Sequence, residues 1–196
     1  METERLEKQI RFLLETDKLK QIFRQNYLAD GSRKENDAEH SWHLALMAVL
    51  LAEHINNKEA DKFKVVKMVL IHDLVEVYAG DTYCYGDTDK AEKLKAEQEA
   101  AKRIFGMLPE DQAEEFKLLW KEFEDCETPE AKYAALLDRF QPLLLNHSSE
   151  GKSWIEHKVE SQKVIDRNKR VGESSKAIAE YTQKVIEDSV KKGYLA

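Results

Sequence analysis

The sequence predicts an all-α protein folded as a single compact domain. Glycine and proline, which interrupt helices, number only seven and three among 196 residues. That is about 5% of the chain, where ordinary usage is about 12%. Apolar residues recur at helical spacing along most of the chain, and 42% of all residues are hydrophobic, enough for one core. The scarcity of turn residues disfavours many-stranded sandwiches, barrels and low-complexity chains.

Seven to eight helices are expected, each supported by apolar spacing and many by a residue that starts or stops a helix. The first helix should end near residue 24, and the others should cover about 37–55, 58–77, 89–105, 109–123, 128–146, 152–170 and 173–191. Asp37 is a plausible N-cap, Gly106 a natural C-cap, and Thr128 caps a helix whose first residue is proline. Residues 28–36 are polar and predict a loop. The short gaps favour one domain over residues 1–196.

Charge, hydropathy and cysteine usage exclude several classes of function. A net charge of −7 with no basic stripe argues against a nucleic-acid polymer as a partner. No apolar run approaches the about 18 residues that cross a membrane, and the charged N-terminus lacks the apolar centre of a signal peptide. Cys84 and Cys126 form neither a CxxC pair nor a disulfide framework. We therefore expect a cytoplasmic location.

The third predicted helix carries three ionisable residues inside an aliphatic run. His72, Asp73 and Glu76 interrupt a stretch of valine, leucine and isoleucine. Carboxylates are rarely buried without a partner, because removing an unpaired charge from water is very costly. His72 and Glu76 stand four residues apart and share a helix face. A metal ion would satisfy all three side chains; the alternative is a helix that turns its polar residues toward solvent.

Two further positions complete a candidate set of metal ligands. Asp138 lies at the centre of an otherwise apolar helix, where its neighbour Arg139 points away, so a metal or a buried salt bridge must satisfy it. On the second helix His40 and His43 stand three apart, and either could coordinate. Two imidazoles and two carboxylates suit Mn, Fe, Co, Ni, Mg or Zn, and the lack of a thiolate argues against structural zinc. Such an ion would activate a water, with Glu76 as its general base.

The order of these residues along the chain resembles that of the HD-domain metal-dependent phosphohydrolases. The resemblance lies in His40, then His72-Asp73, then Asp138, with Glu76 downstream and Gly80-Asp81 after the helix. The run from Arg33 to Ser41 and an arginine on the first helix, Arg24, resemble more closely the HD-domain 5′-deoxynucleotidases. The resemblance covers about residues 15–145, and the last 50 residues match no motif.

The resemblance implies an HD-domain helical bundle and a role for each matching residue. The divalent metal would be bound by His40, His72, Asp73 and Asp138. Glu76 would act on the attacking water, Arg24 would hold the phosphate and Asp81 would contact the sugar. The implied reaction is hydrolysis of deoxynucleoside 5′-monophosphates to a deoxynucleoside and phosphate by a homodimer. The helices at 152–191 would pack on the motif-bearing core or at the dimer interface.

Several questions about the substrate stay open. Gln25 follows Arg24 where bacterial members of the family have tryptophan, so the choice between deoxyribose and ribose is undecided. Arg33 is a second candidate for bidentate phosphate binding, with ordinary surface charge as the alternative, and His43 is interpreted as a residue behind the ligands or on the surface. Rival functions are an HD-type phosphodiesterase, a hydrolase of another phosphorylated metabolite, and a binding or regulatory module that the metal only stabilises.

Overall fold

Helices with one short β-ribbon form the fold of the computed structural model, which describes residues 2–86 and 89–196. The elements are α1 (Glu2–Thr16), β1 (Phe23–Tyr27), β2 (Lys34–Asn36), α2 (Asp37–Leu50), α3 (Lys62–Ile71), α4 (Glu76–Ala79), α5 (Lys90–Phe105), α6 (Glu110–Asp125), α7 (Pro129–Ser148), α8 (Lys152–Glu156), α9 (Ser161–Asn168), α10 (Val171–Ser174) and α11 (Lys176–Lys191). Short 3-10 turns cover Asp17–Gln21, Leu51–His54 and His72–Val75. The predicted all-α class is confirmed, although several of the expected helices are subdivided.

The first predicted helix is shorter than expected, and this moves Arg24 onto a strand. Helix α1 ends at Thr16, and β1 pairs antiparallel with β2, with Phe23 opposite Asn36 and Tyr27 opposite Lys34. The prediction of a helix to residue 24 was wrong because the backbone after Gln21 pairs with a strand instead of continuing the helical ladder. The stretch predicted as a loop contains β2, and Gly31, with φ +69°, allows the turn between the strands.

The start of α2 differs from the prediction in a way that matters for the site. Asn36, rather than Asp37, is the N-cap: its side chain accepts a hydrogen bond from the Glu39 backbone N–H at 2.9 Å. The Glu39 carboxylate in turn accepts the Asn36 N–H at 3.2 Å, which completes a capping box. Asp37 therefore does not cap the helix, and its side chain is fully buried.

Helix α7 lies at the centre of the bundle. It contacts α2, α3, α6, the four C-terminal helices and β1, so most of its circumference is buried, as its apolar sequence predicts. Thr128 caps it as expected, through a hydrogen bond from the Ala131 backbone N–H at 3.2 Å. The helix continues through Pro142 without a break. No helix among the described residues is long and apolar enough to cross a membrane.

Candidate metal centre and its cavity

Three elements bring the four predicted metal ligands together: α2, the 3-10 turn after α3, and α7. The Nε2 atom of His40 lies 3.1 Å from Oδ1 of Asp138 and 3.9 Å from Oδ2 of Asp73. The Nε2 atom of His72 lies 3.1 Å from Oδ1 of Asp73 and 3.8 Å from Oδ1 of Asp138. His40, His72 and Asp73 are buried, and Asp138 is partly buried. Each residue therefore offers a nitrogen or oxygen to one small space.

Hydrogen bonds behind the two imidazoles fix their tautomers. Nδ1 of His72 lies 2.9 Å from the Val69 carbonyl, which can only accept, so Nδ1 carries the proton. Nδ1 of His40 lies 3.0 Å from Oε1 of Gln141, and the Gln141 amide donates from Nε2 to Glu35 at 2.6 Å. That second bond fixes the amide orientation, so Oε1 accepts from His40. Both Nε2 atoms consequently face the carboxylates, as in metal-binding histidines.

The charge balance of the cluster favours a cation. Nε2 of His72 is buried and has no hydrogen-bond partner among the described residues, as expected of an atom that coordinates a metal. Burial lowers the pKa of His40 to about 4, which leaves it neutral and able to ligate. Burial also lowers the pKa of His72, but Asp73 and Asp138 outweigh this effect and raise it to about 10. The two carboxylates thus favour positive charge at Nε2 of His72, which a bound metal would also supply.

Two more carboxylates surround the same space. Asp37, Asp73 and Glu76 each offer an oxygen within 4.8 Å of the others. Burial, together with the charges of Asp73 and Asp37, raises the pKa of Glu76 to about 12. Burial raises the pKa of Asp37 to about 6. Carboxyls resist ionisation in this way when negative charge exceeds positive charge in a low-dielectric site. A divalent cation would correct that excess.

Arg24 extends from β1 into this cluster. Its Nη1 donates to Oδ2 of Asp73 at 2.8 Å and lies 3.4 Å from Oδ1 of Asp37. Its Nη2 is 4.0 Å from Oδ1 of Asp138. The guanidinium therefore bridges the candidate metal ligands while it also lines the adjoining cavity.

A cavity of about 550 Å³ opens beside the cluster. Of the residues named in the sequence analysis, those that line it are Arg24, Gln25, His72, Asp73, Glu76, Asp81, Cys84, Cys126, Asp138 and Arg139. His40 is buried behind this surface, with none of its side chain exposed. The structure does not bring Arg33 to the cavity, because that guanidinium binds the Glu39 carboxylate at 2.6 and 2.8 Å on the exposed side of α2. His43 lies behind the cluster, with Nδ1 3.2 Å from Nε2 of Gln141.

Four residues of the site escaped the sequence analysis. Asp37 was interpreted as a helix cap, although its place before the His40 helix is a signal for a second role. Gln141 stands three residues after Asp138 and so shares its helix face, a signal that periodicity could have supplied. Glu35 lies in the run that carries the family resemblance. Arg167 on α9 lines the cavity with its Nη2 3.6 Å from Oδ2 of Asp138. No sequence signal marks it, because only tertiary packing brings α9 to α7.

This helical bundle, with a His, His-Asp and Asp set beside one cavity, belongs to the HD domain family. The family's sequence model matches residues 16–179, which confirms the predicted membership.

Individual relatives agree with that assignment. A crystal structure titled as a predicted metal-dependent phosphohydrolase from Magnetospirillum magnetotacticum MS-1 is 47% identical, with a TM-score of 0.93 over 98% of this chain and 96% of that one. The 5′-deoxynucleotidase HDDC2 of Homo sapiens is 32% identical over 150 residues, 76% of this chain and 70% of the relative. The enzyme of the same name from Dictyostelium discoideum is 32% identical over 155 residues, 76% of this chain and 82% of the relative.

Proposed function

We propose that this protein is a metal-dependent phosphomonoesterase that hydrolyses deoxynucleoside 5′-monophosphates to a deoxynucleoside and phosphate. The observation that carries the proposal is the convergence of His40, His72, Asp73 and Asp138 beside a cavity large enough for a nucleotide. The human and Dictyostelium relatives are named 5′-deoxynucleotidases, which supports the substrate class. A module that the metal only stabilises would need neither Glu76 nor Asp81 beside the cluster.

The four converging side chains would hold one divalent ion. The ligands would be Nε2 of His40 and of His72 and one carboxylate oxygen each from Asp73 and Asp138. The buried Nε2 of His72, which has no hydrogen-bond partner in the part of the chain that the structure describes, supports this assignment. An ion bound there would lower the pKa of a water and withdraw charge from the phosphate, whichever of the candidate metals is present. Mixed nitrogen and oxygen ligands are compatible with Mn, Fe, Co, Ni, Mg or Zn.

Glu76 would accept the proton of the attacking water. Its carboxyl lines the cavity one turn after Asp73 and lies within 4.8 Å of a carboxylate oxygen of Asp37. The pKa of Glu76, raised to about 12 by burial and by neighbouring carboxylates, describes the metal-free cluster. A divalent ion bound beside Asp73 would offset the repulsion between the carboxylates. It would thereby favour the ionised form of Glu76, which a general base requires.

Arg24 would contact the phosphate of the substrate, and Asp81 would contact its sugar. Arg24 presents its guanidinium to the cavity while Asp73 and Asp37 fix its position, which suits a phosphate oxygen. Asp81, on the loop after α4, is half-buried, and burial raises its pKa. Its carboxyl would bind a sugar hydroxyl. Gln25 also lines the cavity, and its Oε1 accepts a hydrogen bond from Lys34 at 2.6 Å. The choice between deoxyribose and ribose is a question for the substrate assay.

The test is phosphate release by the purified protein loaded with Mn²⁺ or Co²⁺. The panel should contain deoxynucleoside and ribonucleoside 5′-monophosphates, cyclic nucleotides and nucleoside triphosphates, and the metal content should be measured on the same sample. We expect turnover of the 5′-monophosphates. Exclusive turnover of cyclic nucleotides would instead support a phosphodiesterase, and metal-loaded protein without turnover of any phosphomonoester would contradict the proposal.

A second copy of the chain is the partner we propose for the outer face of α2. Trp42, Leu46, Val49 and Leu50 recur at helical spacing on this face and are 41–64% exposed. Such a stripe is typical of a helix that packs against its own symmetry mate. Sedimentation of Val49→Lys should show more monomer than the wild type, whereas Leu118→Lys, at an exposed position on α6, should not. A monomeric wild type would contradict the homodimer. The cytoplasmic location and the lack of a nucleic-acid partner stay predictions.

A further inference from the structure

We propose that Arg167 is a second phosphate-binding residue, through which the C-terminal helix α9 completes the substrate site. The inference rests on the proposed function, because it names the group that would hold the substrate's phosphate together with Arg24. It concerns a part of the chain in which the sequence shows no functional motif.

The position of Arg167 beside the cluster is the first argument. Helix α9 packs on α7, and Nη2 of Arg167 reaches to 3.6 Å from Oδ2 of Asp138. The other oxygen of that carboxylate, Oδ1, faces Nε2 of His40 at 3.1 Å and Nη2 of Arg24 at 4.0 Å. The two guanidiniums thus approach the same carboxylate through different oxygens. Both guanidiniums therefore border the part of the cavity beside Asp138, where a bound divalent ion would offset the carboxylate charge and attract an anion.

The hydrogen-bond capacity of Arg167 is the second argument. Arg24 is committed to the cluster, since it donates to Asp73 and lies within 4.0 Å of Asp37 and Glu35. Arg167 donates no hydrogen bond to any of the residues that the structure describes, and 30% of its side chain is exposed. A guanidinium has five N–H donors in a planar fork that matches two oxygens of a phosphate.

Within residues 2–86 and 89–196, the one carboxylate that Arg167 approaches is that of Asp138. Burial lowers the pKa of Arg167, but Cys84 and Asp138 on the cavity wall outweigh this effect and raise it. The residue is therefore a permanent cation with open donors at the border of a candidate metal centre. A phosphomonoester dianion is the ligand class that such a cation, next to a divalent ion, would bind.

A binding experiment separates this role from a purely structural one. The full chain, loaded with Mn²⁺, is titrated with inorganic phosphate in a calorimeter, and its metal content is measured in parallel. Loss of a bidentate, charge-assisted contact should weaken phosphate binding by about 10- to 100-fold in Arg167→Gln, with metal content unchanged. Arg167→Lys keeps the charge but lacks the planar pair of donors, so its phosphate affinity should lie between those of the wild type and Arg167→Gln. Arg170→Gln is the matched control, because Arg170 is exposed and bound to Glu173 at 2.9 Å.

Each other outcome contradicts the inference. Unchanged phosphate affinity in Arg167→Gln shows that the residue does not bind phosphate. A parallel fall in metal content and phosphate affinity, in both the Gln and the Lys variant, shows that Arg167 acts only by holding Asp138. Failure of the proposed function is a separate observation: the wild type would bind phosphate, and lose that affinity in Arg167→Gln, yet hydrolyse no deoxynucleotide.

Discussion

Replacement of Gln141 by leucine tests whether a buried amide orients the metal-binding imidazole. Gln141 is completely buried, accepts a hydrogen bond from His40 at Oε1 and donates one to Glu35 from Nε2. Leucine has a similar volume, so packing is largely preserved. The substitution leaves the His40 Nδ1–H without an acceptor and removes a hydrogen-bond donor from the Glu35 carboxyl.

The expected loss follows from these two groups. A buried polar group left without its partner costs about 1–3 kcal/mol, so two of them give about 2–6 kcal/mol of unfolding free energy. Part of the cost at Glu35 is relieved because burial already raises its pKa to about 7, which lets it take up a proton. Loss of a hydrogen bond behind a ligating histidine also weakens metal affinity by about 10- to 100-fold.

The measurements are urea unfolding of the metal-free protein and a Mn²⁺ titration. Gln183→Leu is the matched control, because Gln183 is exposed and its amide donates to Glu187, one turn further along α11. Its unfolding free energy should stay within about 0.5 kcal/mol of the wild type. If Gln141→Leu behaves like this control in both measurements, the amide does not orient His40 and the reasoning is refuted.

Three further predictions concern the carboxyls of the site. Glu76→Gln should lower turnover by about 100-fold or more while the melting temperature and metal content stay unchanged, since the amide has the size and shape of the carboxyl but cannot accept the proton of the water; retained turnover would contradict the role of Glu76 as base. Asp138→Ala should lose bound metal and about 3 kcal/mol of unfolding free energy, because His72 and Arg167 lose their counter-charge, and full metal occupancy would contradict its assignment as a ligand. Burial raises the pKa of Glu35 from 4.5 to about 7, so the folded state binds the extra proton and loses stability as pH rises through that window. Relative to Glu35→Gln, metal-free wild type should therefore lose about 3 kcal/mol between about pH 4.5 and 7, and parallel pH profiles in urea unfolding would contradict this.

The sequence predicted the fold class, and it pointed to four candidate metal ligands, of which His40 was chosen over His43 by the family resemblance. His72, Asp73 and Asp138 are ionisable residues inside aliphatic helices, and burying such residues is so costly that their positions imply a common partner. That argument depends only on local periodicity. The structure brings each of the two imidazoles, His40 and His72, within about 4 Å of both carboxylates, Asp73 and Asp138.

The sequence alone could not predict features that depend on contacts between distant parts of the chain. Arg24 reaches the cluster from a strand, because residues 23–27 pair with 34–36, which helical periodicity cannot show. Arg33 has the same chemistry but points to Glu39, since the ribbon turns it outward from the cavity. Arg167 is placed by the packing of α9 on α7, more than 20 residues away in the chain.

The central claim is that the four-ligand cluster holds a divalent metal that makes the cavity a phosphomonoesterase site. Its most direct test is phosphate release from deoxynucleoside 5′-monophosphates by one preparation of the protein, measured with Mn²⁺ or Co²⁺ bound, after chelation, and after the metal is restored. The account predicts turnover that disappears with the metal and returns with it. Metal-loaded protein that releases no phosphate, or turnover that chelation leaves unchanged, would contradict it.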